Sequence, residues 1–392
     1  MKLLSQFLPL YLLAGSSTAQ DIEKNRAFLK KQTTCTVLAN GYESIDDSPA
    51  INAAITSCGN GGTIILPPDN NYSLSSQLNF QACKNCDFQL EGQLIFTPEQ
   101  PFRNLTSFDL TGVQGATIRS LTGQGGINGN AGSWWWTRWT IDSKNTRPDT
   151  FFTITGASNI TVSNLSIWDW KMRLFRITNS SNTIFSNLNL RIHEAWAAYP
   201  RDEAETYAFE TSNVTNISIS SIDIKYTPRP QHKGRALGAC IAFDFGTQNV
   251  DVSNITCMGA WSGVIVQGSS VTPIVNNDPI HDIYIRNTTS DSVYNTGILT
   301  EGIDVPVYNI TWEDIKVLKG VPAVGQPCYL RFHYSTPWGP NCVKQARNKW
   351  TDIWFKGYKG TVDHPLEGGV PDQGWGRVNN MSVVDAHFVN WA

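Results

Sequence analysis

The sequence predicts an all-β chain wound as a right-handed parallel β-helix, with one short helix capping its N-terminal end. Two observations carry this. Short β-branched or aromatic runs bounded by Asn, Gly and Ser, such as Ile217–Ile224, Ala239–Phe245 and Val264–Val266, have the signature of strands rather than of helices. A core of the form Asn-(Ile/Val)-x-(Ile/Val) also recurs, at Asn159, Asn182, Asn216, Asn249, His281 and Asn309, with intervals of 23, 34, 33, about 33 and about 27 residues. A repeat of that length built from short strands, with no helix in each unit, describes a solenoid whose coils stack into parallel sheets. Asparagines at corresponding turns would then stack coil upon coil. A β-propeller blade needs four strands and roughly 40–50 residues, more than these units supply.

Taken in order, the chain opens with Lys2, an apolar stretch from Leu3 to Ala14 and small residues at Ser17 and Ala19. This reads as a secretory signal peptide, residues 1–19, cleaved after Ala19. The apolar stretch is shorter than the ~20 residues of a spanning helix. Residues 20–392 read as a single β-helix domain, secreted to the extracellular space. From Cys35 to Cys58 a strand leads into an amphipathic helix: Asp46, Asp47 and Ser48 offer caps, Pro49 suits the first turn, and Ile51, Ala54 and Ile55 share one face. Gly59–Gly62 ends it. A buried strand with a Pro-Pro break follows, then the repeating coils. Beyond Val321, loops rich in Gly and Pro surround two further strand-like pieces, Trp350–Phe355 and Asn380–Val389.

Eight cysteines, all beyond the signal, suit an oxidising compartment. Order and spacing suggest the pairs Cys35–Cys58, Cys83–Cys86, Cys240–Cys257 and Cys328–Cys342. No His/Cys cluster has zinc spacing, so neither metal nor cofactor is expected. The formal charge is −3 with no long basic run, which argues against nucleic acid as a partner. No membrane partner is expected either, and the chain reads as a monomer. Eleven Asn-x-Ser/Thr sequons, among them Asn159, Asn164, Asn213, Asn254 and Asn309, point to N-glycosylation at several positions. Fourteen tryptophans, including Trp134, Trp135, Trp136, Trp139, Trp168, Trp170, Trp196 and Trp261, can serve a large core or stack on sugar rings.

The stretch Gly123–Trp136, GQGGINGNAGSWWW, the coil repeat that follows and the CIAF…NITC segment at Cys240–Cys257 resemble family-28 glycoside hydrolases, the polygalacturonases and rhamnogalacturonases of pectin breakdown. The N-terminal CTV…SC module is similar to that of fungal exo-acting members. The resemblance implies a parallel β-helix and a pectin-type polysaccharide, galacturonan or rhamnogalacturonan, as substrate. The family's Asn-Thr-Asp, Asp-Asp-Cys, Gly-His-Gly and Arg-Ile-Lys segments fall on Glu205-Thr206-Tyr207, Gly238-Ala239-Cys240, Trp261-Ser262-Gly263 and Leu299-Thr300-Glu301. Cys240 is kept, while the family's carboxylates, histidine and Arg/Lys pair are replaced.

Glycoside inversion needs a protonated carboxyl at the leaving oxygen and a carboxylate holding water on the opposite face, about 6.5–9.5 Å apart. Neighbouring coils lie about 4.8 Å apart, so carboxylates at matching or diagonal positions of adjacent coils meet that need. The candidates, in order, are Glu205, Asp244, Asp202 and Glu210. By strand alternation Glu205 shares a face with Tyr207 and Glu210 points away unless a bulge intervenes, while Asp244 shares its face with Cys240 and Ala242 and points outward. Tyr207, Arg229, His232, Arg235 and Trp261 are candidate substrate contacts, the cations suiting a uronate and the indole a sugar ring. Each carboxylate taken alone also fits a solvated surface position, and the 229–235 cations a solvated turn. Two other functions stay open on the same scaffold: a lyase abstracting the proton α to a uronate carboxylate, and a sugar-binding protein without catalysis.

Overall fold

The computed structural model describes residues 33–97, 106–130, 150–170, 173–195, 207–228, 236–267, 278–291, 295–299, 306–318, 324–325, 349–357, 359–362, 377–384 and 387–390. By its internal contacts the chain divides into Met1–Thr33 and Thr34–Ala392, and all that follows concerns the second unit. Its described strands, twenty-four in number, join in one parallel hydrogen-bonded network, a right-handed parallel β-helix as the repeat predicts.

Strands run longer than their apolar cores suggest. Arg173–Ala195 and Tyr207–Pro228 each continue through two corners, in register from Arg173 to Ile192 and shifted only between Ile192 and Ala195, so one strand contributes to three faces of a coil. The corners are made by residues with left-handed backbone. At the first, Asn85, Gly115, Asn159, Asn182, Asn216, Asn249, Asp282, Asn309 and Asp352 stand one above another, all with φ between 54° and 81°. Asn and Asp tolerate this conformation better than other side chains because their short polar groups bond locally. Asp282, not His281, holds the sixth predicted position, one residue later than the motif match places it. Gly115 fits the same stack by having no side chain: a Cβ there would stand 2.2 Å from Asn85 Oδ1. A second stack, Asn164, Asn187, Ser221, Asn254, Asn287 and Asp314, turns the next corner.

The amides of these stacks bond along the helix axis. Asn216 Nδ2 donates to Asn182 Oδ1 at 3.0 Å, Asn287 Nδ2 to Asn254 Oδ1 at 2.6 Å, and Asn309 Nδ2 to Asp282 Oδ1. Between corners the inward positions fill one continuous core. Phe108, Phe152, Phe175 and Phe209 stack ring on ring through four coils, at centroid spacings of 4.0, 4.9 and 5.0 Å, before Ile241 and Val264 continue the column. Trp170 and Trp312 are buried in the same core.

The N-terminal end is closed as predicted. Helix α1, Ser48–Cys58, buries Ile51, Ala54 and Ile55 and stops at Gly59, whose N–H bonds back to Ile55 O. Asp47 occupies the N-cap but its carboxylate ties down neighbouring segments instead, accepting from Asn40 and Ser73 N–H. Asp46 accepts from Ser48 N–H in its place. The disulfides Cys35–Cys58, Cys83–Cys86 and Cys240–Cys257 are formed, the last across the coil interior with 6.1 Å between Cα atoms. Cys328 and Cys342 lie outside the described residues, as do the tryptophans at 134–139 and 196.

Replacing Asn182 by Val should cost about 2–3 kcal/mol, since the left-handed corner costs a β-branched residue roughly 1–2 and the lost amide bond about 1. Asn182→Gly should lose only the bond, and urea midpoints of the two variants check the split. A pH effect follows at Glu91, which is nearly buried beyond the strand Lys84–Leu90. Burial pushes its carboxyl up, but hydrogen bonds from Thr122 Oγ1, Leu121 N–H, Ser120 Oγ and Thr122 N–H outweigh this and hold it below the usual glutamate range. Stability from a depressed carboxyl is present above its unfolded value and lost as pH falls through the folded one. Glu91→Gln should therefore lower stability at pH 7, with the gap to the natural chain closing below about pH 4.

Candidate active site

The positions that carry the candidate chemistry lie on the first face, where strands Thr150–Thr155, Arg173–Ala195, Tyr207–Pro228, Ala236–Phe243, Ala260–Gln267 and Asn295–Leu299 stack coil on coil. Simple alternation does not describe them. Leu174 and Phe175 are both in the core, as are Ala208 with Phe209 and Cys240 with Ile241. Each coil thus puts two successive residues inward at this edge, and outward positions fall three apart. The irregularity left open for Glu210 is present: Tyr207 and Glu210 share the outer side, and so do Ala239 and Ala242. Cys240 turns inward to meet Cys257, so it does not share a side with Ala242 as the alternation predicted.

Two rows result. One sets Arg173 beside Tyr207, and on later coils Ala239 beside Ser262 and Ser262 beside Asn295. The other runs Thr153, Arg176, Glu210, Ala242, Ile265 and Gly297 through six coils. Tyr207, Ala239, Ala242 and Ile265 form a small apolar cluster of their own outside the main core. Glu210 stands at its border. One carboxylate oxygen is 2.7 Å from Arg173 Nε and 3.7 Å from Arg176 Nε, a close ion pair in which Arg173 Nε–H is not aligned on that oxygen as a hydrogen bond. The Arg173 guanidinium also lies 5.8 Å from the Tyr207 ring centre. These two arginines were missed in the sequence. The run RLFRI shows them three apart, the spacing of the outward positions here, but the doubled inward step that makes three the relevant interval is not written in any residue.

Asp244 follows the last residue of its strand and opens a turn. Its N–H donates to Thr211 O, its Oδ1 accepts from Phe245 N–H at 2.8 Å, and its carbonyl accepts from Thr247 N–H. The residue is 7 % exposed, so the expectation of an outward-pointing side chain is corrected: the turn draws it against the coil. Asp202, Glu205, Arg229, His232 and Arg235 lie outside the described residues, and so does the side chain of Trp261. Among the described residues no group of three His, Cys, Asp or Glu could hold a metal ion. No described helix is long and apolar enough to cross a membrane.

An open groove of about 580 Å³ lies on the second face, along the first asparagine stack, and none of the candidate residues lines it. Its carboxylates are already engaged. Asp251 pairs with Arg286 at 3.2 Å, and hydrogen bonds from Asn309 and His281 hold Asp282 below the usual carboxylate range. The candidate chemistry lies instead on the first face.

The sequence pattern of glycosyl hydrolases family 28 matches residues 58–369. The chain belongs to this family. Among its relatives, the probable endo-xylogalacturonan hydrolase A of Aspergillus flavus is 35 % identical over 299 residues, covering 74 % of this chain and 69 % of that protein. The endo-xylogalacturonan hydrolase A of Aspergillus tubingensis is 32 % identical over 373 residues, covering 90 % and 85 %. The crystal structure of the endo-xylogalacturonan hydrolase from Aspergillus tubingensis superposes with a TM-score of 0.69 at 25 % identity, over 91 % of this chain and 92 % of that one. As a family 28 member the chain is a glycosidase on a parallel β-helix.

The arginine–glutamate arrangement yields a prediction. Arg173→Met leaves Glu210 without its near cation in a largely screened position, and should cost about 3 kcal/mol, as broken partly buried pairs do. The double variant Arg173→Met with Glu210→Gln should recover most of that loss, read from urea unfolding midpoints.

Proposed function

We propose that this chain is a secreted, extracellular and monomeric glycosidase that cleaves a xylose-bearing galacturonan of pectin within its backbone. The observation that carries the reading is its family 28 match, joined to relatives named for endo-xylogalacturonan hydrolysis at 30–35 % identity across most of their length. The disulfides suit an oxidising exterior. Attack inside the chain is preferred to exo action because those relatives are named endo-hydrolases.

The chemistry we assign to the first face. Glu210, held by Arg173 and Arg176, is a carboxylate placed to hold a water. Asp244 is two residues beyond Ala242, the register partner of Glu210 on the next coil. One coil spacing combined with two strand rises sets their Cα atoms about 8 Å apart, from which their carboxyl groups can reach the separation of an inverting pair. Asp202 and Glu205, from the segment leading into this strand, remain candidates for the acid. Arg176, the more exposed of the two arginines, together with Arg229, His232 and Arg235, supplies donors for uronate carboxylates. Trp261 offers a ring for sugar stacking, while Tyr207, buried in the apolar cluster, serves by supporting Arg173 beside Glu210.

One observation favours a second reading, a sugar-binding protein that keeps the family fold without hydrolysis. The positions matching the family's acids are Tyr207, Gly238 and Ala239, and two of these belong to an apolar cluster. Incubation with xylogalacturonan, homogalacturonan and rhamnogalacturonan separates the readings. The hydrolase releases reducing ends, a lyase releases products absorbing in the ultraviolet, and a binder releases neither. On the substrate so found, Glu210→Gln should lower kcat by ~10²–10⁴-fold, the range for a general acid or base. Unchanged turnover in Glu210→Gln and in Asp244→Asn, with unchanged melting, would move the chemistry to Asp202 and Glu205.

A further inference from the structure

The eleven sequons are not independent of the fold. In a coil of this helix a left-handed corner residue is followed by an inward apolar residue and then by an outward one, and Asn-Ile-Thr or Asn-Leu-Ser satisfies all three positions at once. Asn159-Ile160-Thr161, Asn164-Leu165-Ser166, Asn216-Ile217-Ser218, Asn254-Ile255-Thr256 and Asn309-Ile310-Thr311 each follow it, with the middle residue buried. The motif that a glycosylating enzyme reads is here also the motif that turns a corner.

Exposure does not separate the sequons, since Asn216, Asn287 and Asn309 are as exposed as Asn159 and Asn254. The amide nitrogens do separate them. Those of Asn216, Asn287 and Asn309 donate to the side chain one coil earlier, and that of Asn164 donates to Ser120 O at 2.7 Å. Those of Asn71, Asn159, Asn179 and Asn254 donate to no atom of the described residues, and all four residues are exposed. Asn254 begins its pair: its oxygen accepts from Asn287 while its own nitrogen faces solvent.

We propose that N-glycans occupy Asn71, Asn159, Asn179 and Asn254 and are absent from Asn164, Asn216, Asn287 and Asn309. Transfer from a lipid-linked diphospho-oligosaccharide forms the bond between sugar C1 and Asn Nδ2, breaks the bond from C1 to the diphosphate oxygen, and releases one amide proton and the lipid diphosphate. The modified nitrogen keeps a single N–H and carries a sugar ring. Coils are about 4.8 Å apart, so a ring on a nitrogen that spans two coils has no room between them. Transfer acts on the unfolded chain and folding then selects. A chain modified at a spanning amide loses a rung and does not reach the secreted pool, whereas a sugar on an open amide projects into water. The inference needs only passage through a eukaryotic secretory pathway, so it is independent of the proposed activity.

The test uses the full chain secreted from a eukaryotic host under that host's own leader peptide. Enzymatic glycan release in heavy-oxygen water converts each occupied asparagine to a labelled aspartate, which peptide mass spectrometry locates. Among the eight sequons assigned, label confined to the open set is the expected result. Label at any of Asn164, Asn216, Asn287 or Asn309 in folded protein, or no label at any sequon, overturns the proposal. Asn71→Gln, at a position with ordinary strand backbone, should remove the mass of one glycan and leave the melting temperature in place, while Asn287→Gln should keep the glycan mass and lower the melting temperature. Loss of a glycan in Asn287→Gln would equally overturn it.

Discussion

Everything in this molecule follows from the spacing of one coil on the next. At about 4.8 Å each side chain lies directly over its register partner, so every position must be compatible with its own kind above and below. Phe108, Phe152, Phe175 and Phe209 meet the requirement by stacking rings. The corner asparagines meet it by passing an amide hydrogen up the axis. Stacked charges of one sign would not meet it, and on the first face a carboxylate, Glu210, sits in register with a cation, Arg176, instead of a second carboxylate. The same constraint shapes the candidate site, because a row of outward residues along the axis is a row that a polymer can follow.

That row differs from the pattern the resemblance implied. Where the resemblance would set the family's acids, this chain has Tyr207 and Ala239, buried with Ala242 and Ile265. A carboxylate at the border of that patch, gripped by two guanidiniums, is in a different electrostatic setting from one among other carboxylates. The patch is itself buried, and of the two guanidiniums at its border Arg176 is the more exposed.

Much of this was legible beforehand, for physical reasons that can be named. The asparagine recurrence was visible because few residues accept a left-handed corner, so the sequence must spend one of them in every coil. Helix α1 was visible through Pro49, its apolar spacing and the Gly59 stop, and the three described cysteine pairs through their order. The side of Glu210 was not, because alternation assumes one residue in and one out, and Ala208 with Phe209 breaks that rule. No single residue marks such a break. Asp244 was misjudged for a related reason: its parity is right, but a turn at Asp244–Thr247 overrides parity. His281 and Asp282 both suited the corner, and only the register of Ile283 on Val250 decides between them.

Coil length varies while the stack does not. Successive corner residues are as few as 23 positions apart, from Asn159 to Asn182, and as many as 44, from Gly115 to Asn159, yet the register between their strands is unbroken. The ladder therefore behaves as a ruler along which material can be inserted or deleted without moving the marks. Descendants of such a chain can lengthen one coil to grip a branched polymer or shorten it to admit a linear one, and the core, bonded only from coil to coil, registers no change. Diversity of substrate is inexpensive in this architecture because it is inherited separately from stability.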